Sequence, residues 1–124
     1  MPKTVLIAES NNFLLEILTD VLSHSGFTVV GTTSARTDID ALALKTRPDL
    51  LVFDFRLISS GMAGLADIRQ LKEQLPEMKI LVLGLLHEAT DQFAEAILNA
   101  GFDGFWNKYD DSAELKKILK FLFP

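Results

Sequence analysis

The chain has 124 residues, the size of one ordinary domain, with 48% hydrophobic residues and a formal charge of −5. It has no cysteine, which excludes disulfides and thiolate chemistry, and its acidic balance argues against a nucleic-acid interface, which needs clustered Lys and Arg. No run approaches the ~18 unbroken apolar residues of a membrane span, and the apolar stretch of MPKTVLIAES is too short for a secretory signal, so a soluble, cytoplasmic protein is expected.

Short apolar runs recur along the chain, separated by helix-length segments. TVLIA (4–8) comes first and ends at Glu9-Ser10. Asn11 or Asn12 is placed to cap FLLEILTDVLSHSG, with Gly26 as the stop and Phe13, Ile17, Leu18, Val21 and Leu22 as the apolar stripe. FTVVGT (27–32) is the second strand, and ARTDIDALALKTRP the second helix, ending before Pro48. LLVFDF (50–55) carries Asp54 behind four apolar residues, and a helix is expected from about Ala63 to Leu75, before Pro76. KILVLG (79–84), a helix over EATDQFAEAILNAG, GFWN (104–107) and a last helix over DSAELKKILKFLF complete the chain, Asp110 and Asp111 being favourably placed at that helix's N-terminus.

The runs lack clean alternation, so both faces of the sheet are expected to be buried. Five β-α repeats predict an α/β fold: one doubly wound five-stranded parallel sheet in a single domain over 1–124. Function in such a sheet collects at the carboxyl ends of the strands. Those ends hold Glu9, Ser10, Thr32, Thr33, Asp54, Gly84 and Lys108. If strands one, three and five lie side by side, two acids and a lysine converge, and each buried charge has a partner.

VLIAES, PDLLVFDF and NAGFDGFWNK together resemble the receiver domain of bacterial two-component response regulators, over the whole chain. The resemblance implies strand order 2-1-3-4-5. It implies that Asp54 accepts a phosphoryl group from a sensor histidine kinase or phosphotransfer protein, and that Lys108 pairs with the acyl phosphate. It makes Glu9 and Ser10 the acidic-pair positions of a magnesium site that also uses Asp54 and the carbonyl of Arg56. Phe105 matches the aromatic switch residue.

Four departures bear on that chemistry. Ser10 replaces the second acid, and a neutral hydroxyl is a weaker ligand for a hard cation, so magnesium binding is expected to be weak or absent. Gly84 replaces the Ser or Thr that couples the phosphoryl group to Phe105, Leu85 replaces the small residue beside it, and Tyr109 stands where many receivers have proline. The loop FRLISSGMAGL, with Gly61 and Gly64, lacks the family's proline and is slightly long. The Arg56 guanidinium is a candidate to fold over Glu9 and Asp54 in place of a metal.

Asp103 reads as a turn residue, His24 and His87 as surface, and Trp106 as facing opposite to Phe105. Phe121 and Phe123 widen the stripe of the last helix, which points to a homodimer or output-domain contact. Three functions compete: a receiver phosphorylated at Asp54, a pseudo-receiver serving as an interaction module, and a flavodoxin-like enzyme or carrier. ESNNFLL is no flavin-phosphate loop, so the third lacks support. Any output domain lies outside this chain.

Overall fold

The computed structural model describes residues 2–57, 62–84, 91–108 and 111–124. The strands are β1 (Lys3–Ala8), β2 (Phe27–Thr33), β3 (Leu50–Asp54), β4 (Lys79–Gly84) and β5 (Gly104–Asn107). The helices are α1 (Asn12–His24), α2 (Arg36–Thr46), α3 (Met62–Arg69), α4 (Leu71–Gln74), α5 (Asp91–Asn99) and α6 (Ser112–Leu122). All five strands pair in parallel, in the order β2-β1-β3-β4-β5, as expected.

Period-two side chains divide the sheet into two buried faces. Leu6, Ala8, Leu51, Phe53, Ile80 and Val82 pack against Ile39, Leu65, Ile68 and Ile97 from α2, α3 and α5. Val5, Ile7, Leu50, Val52, Leu81, Leu83 and Trp106 pack against Leu18 and Leu22 of α1 and Leu115, Leu119 and Leu122 of α6. Burying each such aliphatic side chain stabilises the fold by about 1.5–3 kcal/mol before the entropy of ordering is subtracted. Phe105 leans on the first face and Trp106 on the second, the opposition expected of strand neighbours.

Local signals fix the helix starts. Asn11 Oδ1 accepts from Leu14 N at 3.0 Å, and Asp111 Oδ1 from Glu114 N at 3.0 Å. Such caps stabilise a helix end by about 1 kcal/mol. Arg47, in the left-handed region with φ 46°, closes α2 just before Pro48.

Three expectations are corrected. The helix expected over 63–75 is broken at Gln70, where Glu73 N bonds to Gln70 O at 3.0 Å, three residues back, and tightens the turn between α3 and α4. On α1, Leu18 and Leu22 are buried, but Phe13 is 73% exposed and Ile17 37%. These two line the pocket at the strand ends instead of the core. Asp103 does more than turn the chain: its Oδ2 accepts from Ile80 N at 2.8 Å and pairs with Lys72 Nζ at 2.5 Å, tying β4 to the start of β5.

Gly26 and Gly101 end helical segments at φ +91° and +99°. A Cβ on Gly26 would meet nothing within 4 Å, while one on Gly101 would clash with Arg69 Nε. A side chain at either position carries backbone strain, and at Gly101 it adds displacement of the Arg69 side chain. Gly26→Ala and Gly101→Ala are each expected to lower unfolding free energy by about 1–2 kcal/mol in urea melts. A much larger loss for Gly101→Ala alone would show that Arg69 is held rigidly.

Candidate functional site at the carboxyl ends of the strands

Glu9 directly follows β1, Asp54 ends β3 and Lys108 directly follows β5. β1 and β3 are neighbours, but β4 lies between β3 and β5. As the order 2-1-3-4-5 implies, only β1 and β3 lie side by side, and Lys108 must cross the end of β4. Two strand spacings are about 10 Å, within reach of a lysine stem meeting a carboxylate halfway. Gly84 ends β4 there, adds no side chain to the path, and its carbonyl accepts from Lys108 N at 2.9 Å.

The result is a compact ionic cluster. Lys108 Nζ lies 2.7 Å from Asp54 Oδ2 and 3.2 Å from both oxygens of Glu9. The side chains are 8% exposed for Lys108, 1% for Asp54 and 0% for Glu9. Backbone donors hold the two carboxylates. Arg56 N donates to Asp54 Oδ1 at 3.0 Å from the 3-10 turn Phe55–Leu57, and Asn11 N donates to Glu9 Oε1 at 3.0 Å. The Asn11 contribution was not legible in the sequence beyond its capping signal.

Two acids against one ammonium leave the cluster short of positive charge. Burial pushes the Glu9 carboxyl above its ordinary 4.5, and the nearby Asp54 charge adds to this; the Asn11 N–H and Lys108 pull the other way without prevailing. Glu9 Oε2, although near the ammonium, has no hydrogen bond in suitable geometry.

The pocket around this cluster has a volume of about 420 Å³ and includes Ser10, Phe13, Leu14 and Ile17 at its mouth. Its oxygen donors are Glu9, Asp54, the Ser10 hydroxyl and the Arg56 backbone. They suit a small hard cation that keeps several waters, and the unbonded Glu9 Oε2 is the oxygen with a free lone pair for it. Among the described residues no three or more Asp, Glu, His or Cys gather as a ready-made cage. The Arg56 guanidinium forms no ion pair with Glu9 or Asp54, so it does not stand in for a metal in this structure; Lys108 does the pairing. Phe105 is half-buried against the α2–α5 side, one strand position from Trp106. Leu85, Tyr109, Gly61 and His87 lie outside the described residues.

Residues 5–120 match the family described as the response regulator receiver domain. The chain is 26% identical over 120 residues to the response regulator GacA of Pseudomonas aeruginosa, covering 96% of this chain but 54% of GacA. It is 29% identical over 108 residues to the polar-differentiation response regulator DivK of Brucella anthropi, covering 87% of this chain and 85% of DivK. The fold is similar to the REC domain of AraT from Geobacillus stearothermophilus, with a TM-score of 0.79 at 21% identity over 98% of this chain and 93% of that one. The chain thus spans about half of one such relative and most of another.

The raised Glu9 carboxyl has a direct test. Its folded-state pKa exceeds its unfolded value, so Glu9 favours folding fully below the unfolded value near 4.5 and loses that contribution as pH rises through the folded one. Carbon-detected NMR titration is expected to place the Glu9 midpoint above 4.5, and Lys108→Met to move it further up. A midpoint at or below 4.5 would show that the donors outweigh burial.

Proposed function

The chain belongs to the response regulator receiver family of two-component systems, and from that premise we propose that Asp54 is its phosphoryl acceptor and Lys108 the partner of the acyl phosphate. Receiver domains are signalling modules rather than enzymes, and they work with histidine kinases, phosphotransfer proteins and output domains. The observation that carries the residue assignment is the contact of Lys108 with Asp54 at the carboxyl end of the sheet.

The chemistry needs an exposed path to a held carboxylate. One Asp54 oxygen forms the new O–P bond as the P–N bond of a phosphohistidine breaks, and the imidazole departs with the electron pair. Lys108 stays beside the carboxylate and pairs with a phosphoryl oxygen as negative charge builds there. Arg56 N steadies the other Asp54 oxygen. Glu9, Asp54, Ser10 and the Arg56 carbonyl would hold magnesium, which supplies further neutralisation of the phosphoryl oxygens when bound. The exposed Phe13 and Ile17 at the pocket mouth offer an apolar landing for the donor protein. Phe105 is the switch aromatic in this reading, and Gly84 offers no hydroxyl to pull it inward, so phosphorylation is weakly coupled to its movement.

A second reading has a specific observation behind it. Lys108 already touches both carboxylates, and Ser10 supplies no charge to draw a metal against it. A domain held this way serves as a pseudo-receiver, recognised by partners without phosphorylation. In either reading Phe121, 81% exposed on α6, is a contact point for a second copy or an output domain. Phe123 is not: it folds back against Phe27, with ring centroids 5.4 Å apart.

Intact-mass spectrometry after incubation with acetyl phosphate and magnesium separates the readings. A phosphoryl adduct is expected on the wild type and none on Asp54→Asn; an unmodified wild type would leave the pseudo-receiver. Independently, Ser10→Asp is expected to tighten manganese binding, read by water-proton relaxation, on the order of tenfold, equivalent to about 1.4 kcal/mol. Equal binding in both proteins would remove Ser10 as the cause of a weak site.

A further inference from the structure

The opposite end of the sheet holds a cleft of about 700 Å³ that the receiver reading does not use. Its walls follow from strand and helix periodicity. Val5 and Ile7 point to the α1–α6 face, so Lys3, in phase with them, points there too; Leu81 and Leu83 place Lys79 on the same face. β1 and β4 are separated only by β3, and the register sets Lys79 level with Val5, two residues past Lys3, so the two lysine backbones are about 12 Å apart near the sheet rim. Lys116 and Lys120 are one helical turn apart on α6, which covers this face. All four lysines line the cleft, together with His24 at the end of α1.

Four of the chain's eight lysines thus gather in one place on a protein of net charge −5. None of the four has an ion-pair partner among the described residues. Two acids also line the cleft, Asp49 and Glu77. Asp49 is committed to Thr4, accepting from its N at 2.8 Å and its Oγ1 at 3.2 Å. Positive charge therefore outnumbers negative, and lysines at i and i+4 repel each other unless an anion lies between them. The floor is apolar and aromatic: Phe27 meets Phe123 edge to face, and Lys3 Nζ sits 5.6 Å from the Phe123 ring centroid. Leu119 and Leu122 complete it.

We propose that this cleft is a binding site for a small phosphate-bearing molecule with a planar body, the class of the nucleoside polyphosphates. The phosphates would lie among Lys3, Lys79, Lys116 and Lys120, and the planar group against Phe123. The volume falls in the range of small-molecule sites, about 300–1,000 Å³. The net charge of −5 opposes a long nucleic acid, whose many phosphates would extend beyond the lysines. The site lies at the opposite end of the sheet from the carboxylate cluster and shares no lining residue with it.

The test is NMR titration of the wild-type chain with ATP and, separately, with inorganic tripolyphosphate, in magnesium-free buffer. Saturable shifts are expected at Lys3, Lys79, Lys116, Lys120 and Phe123, with ATP bound on the order of tenfold more tightly because only ATP has a ring to stack. Lys116→Glu with Lys120→Glu is expected to weaken ATP at least tenfold while thermal unfolding and the Glu9 titration stay as in the wild type. These substitutions lie on an exposed helix face, and Lys116→Gln with Lys120→Gln repeats the test without charge reversal. Shifts spread evenly over all lysines, or an ATP affinity indifferent to both double substitutions, would overturn the site. Equal affinity for tripolyphosphate and ATP would overturn the planar-body assignment and identify a bare polyphosphate ligand.

Discussion

The Lys108 ammonium lies between two carboxylates that are almost wholly shielded from water, and the arrangement of the strand ends depends on it. A carboxylate withdrawn from solvent is destabilised by several kcal/mol unless paired and hydrogen-bonded. Asp54 receives an ammonium and the Arg56 N–H; Glu9 receives the same ammonium and the Asn11 N–H. Each donor comes from a different local device: the turn after β3, the cap of α1, and the residue after β5. The ionic contact therefore ties the residue after β5 to the ends of the paired strands β1 and β3, from which β5 is separated by β4.

That cluster also explains why small changes of residue type matter so much here. With a second acid at position 10, three carboxylates would face one lysine, and a divalent cation would be the natural remedy for the excess charge. With Ser10 the excess is one charge, spread over two carboxylates that already share a cation. Burial pushes the Glu9 carboxyl up, and the neighbouring Asp54 charge adds to that push. Gly84 acts on the same balance from below, because it leaves the crossing of β4 clear for the lysine stem and removes the hydroxyl that would compete for a phosphoryl oxygen.

Much of this was legible in the sequence, for reasons that can be named residue by residue. The buried strands announced themselves as short apolar runs, and their alternation with helices pointed to a parallel sheet with right-handed crossovers, while the strand order came from the family resemblance. Asn11, Asp111 and Gly101 marked boundaries by capping and backbone chemistry. Asp54 and Lys108 were identifiable by their joint placement with Glu9 on one rim of the sheet, since alone each would read as a loop or solvated residue. What escaped was three-dimensional. Phe13 and Ile17 share the spacing of Leu18 and Leu22, and periodicity alone cannot tell that the first turn of α1 runs past the strand ends. The break at Gln70 depends on a tightened turn with no Gly or Pro to signal it. The Arg56 guanidinium was a reasonable cation on charge grounds, but Lys108 reaches both acids first, and it is the Arg56 backbone that is used.

The two ends of the sheet carry opposite electrostatic characters, and the topology makes that possible. All strands run the same way, so every β-to-α junction falls at one end and every α-to-β junction at the other. Acids after β1 and at the end of β3 therefore gather at one rim, and lysines at the starts of β1 and β4 gather at the other, although they are far apart in sequence. Between the rims lies an apolar sheet some five residues deep, with no described polar chain through it. Charge at one end is thus felt at the other chiefly as a long-range field, weakened by solvent on both sides. Coupling between the ends therefore has to travel mechanically. One connected element is α6: its Leu115 lies in the same core cluster as Trp106, and its Lys116 and Lys120 line the far cleft. Helix α1 bridges the rims as well, from Phe13 and Ile17 at the carboxylate pocket to His24 at the cleft, and these two helices are routes by which occupancy of the lysine cleft would alter the carboxylate end.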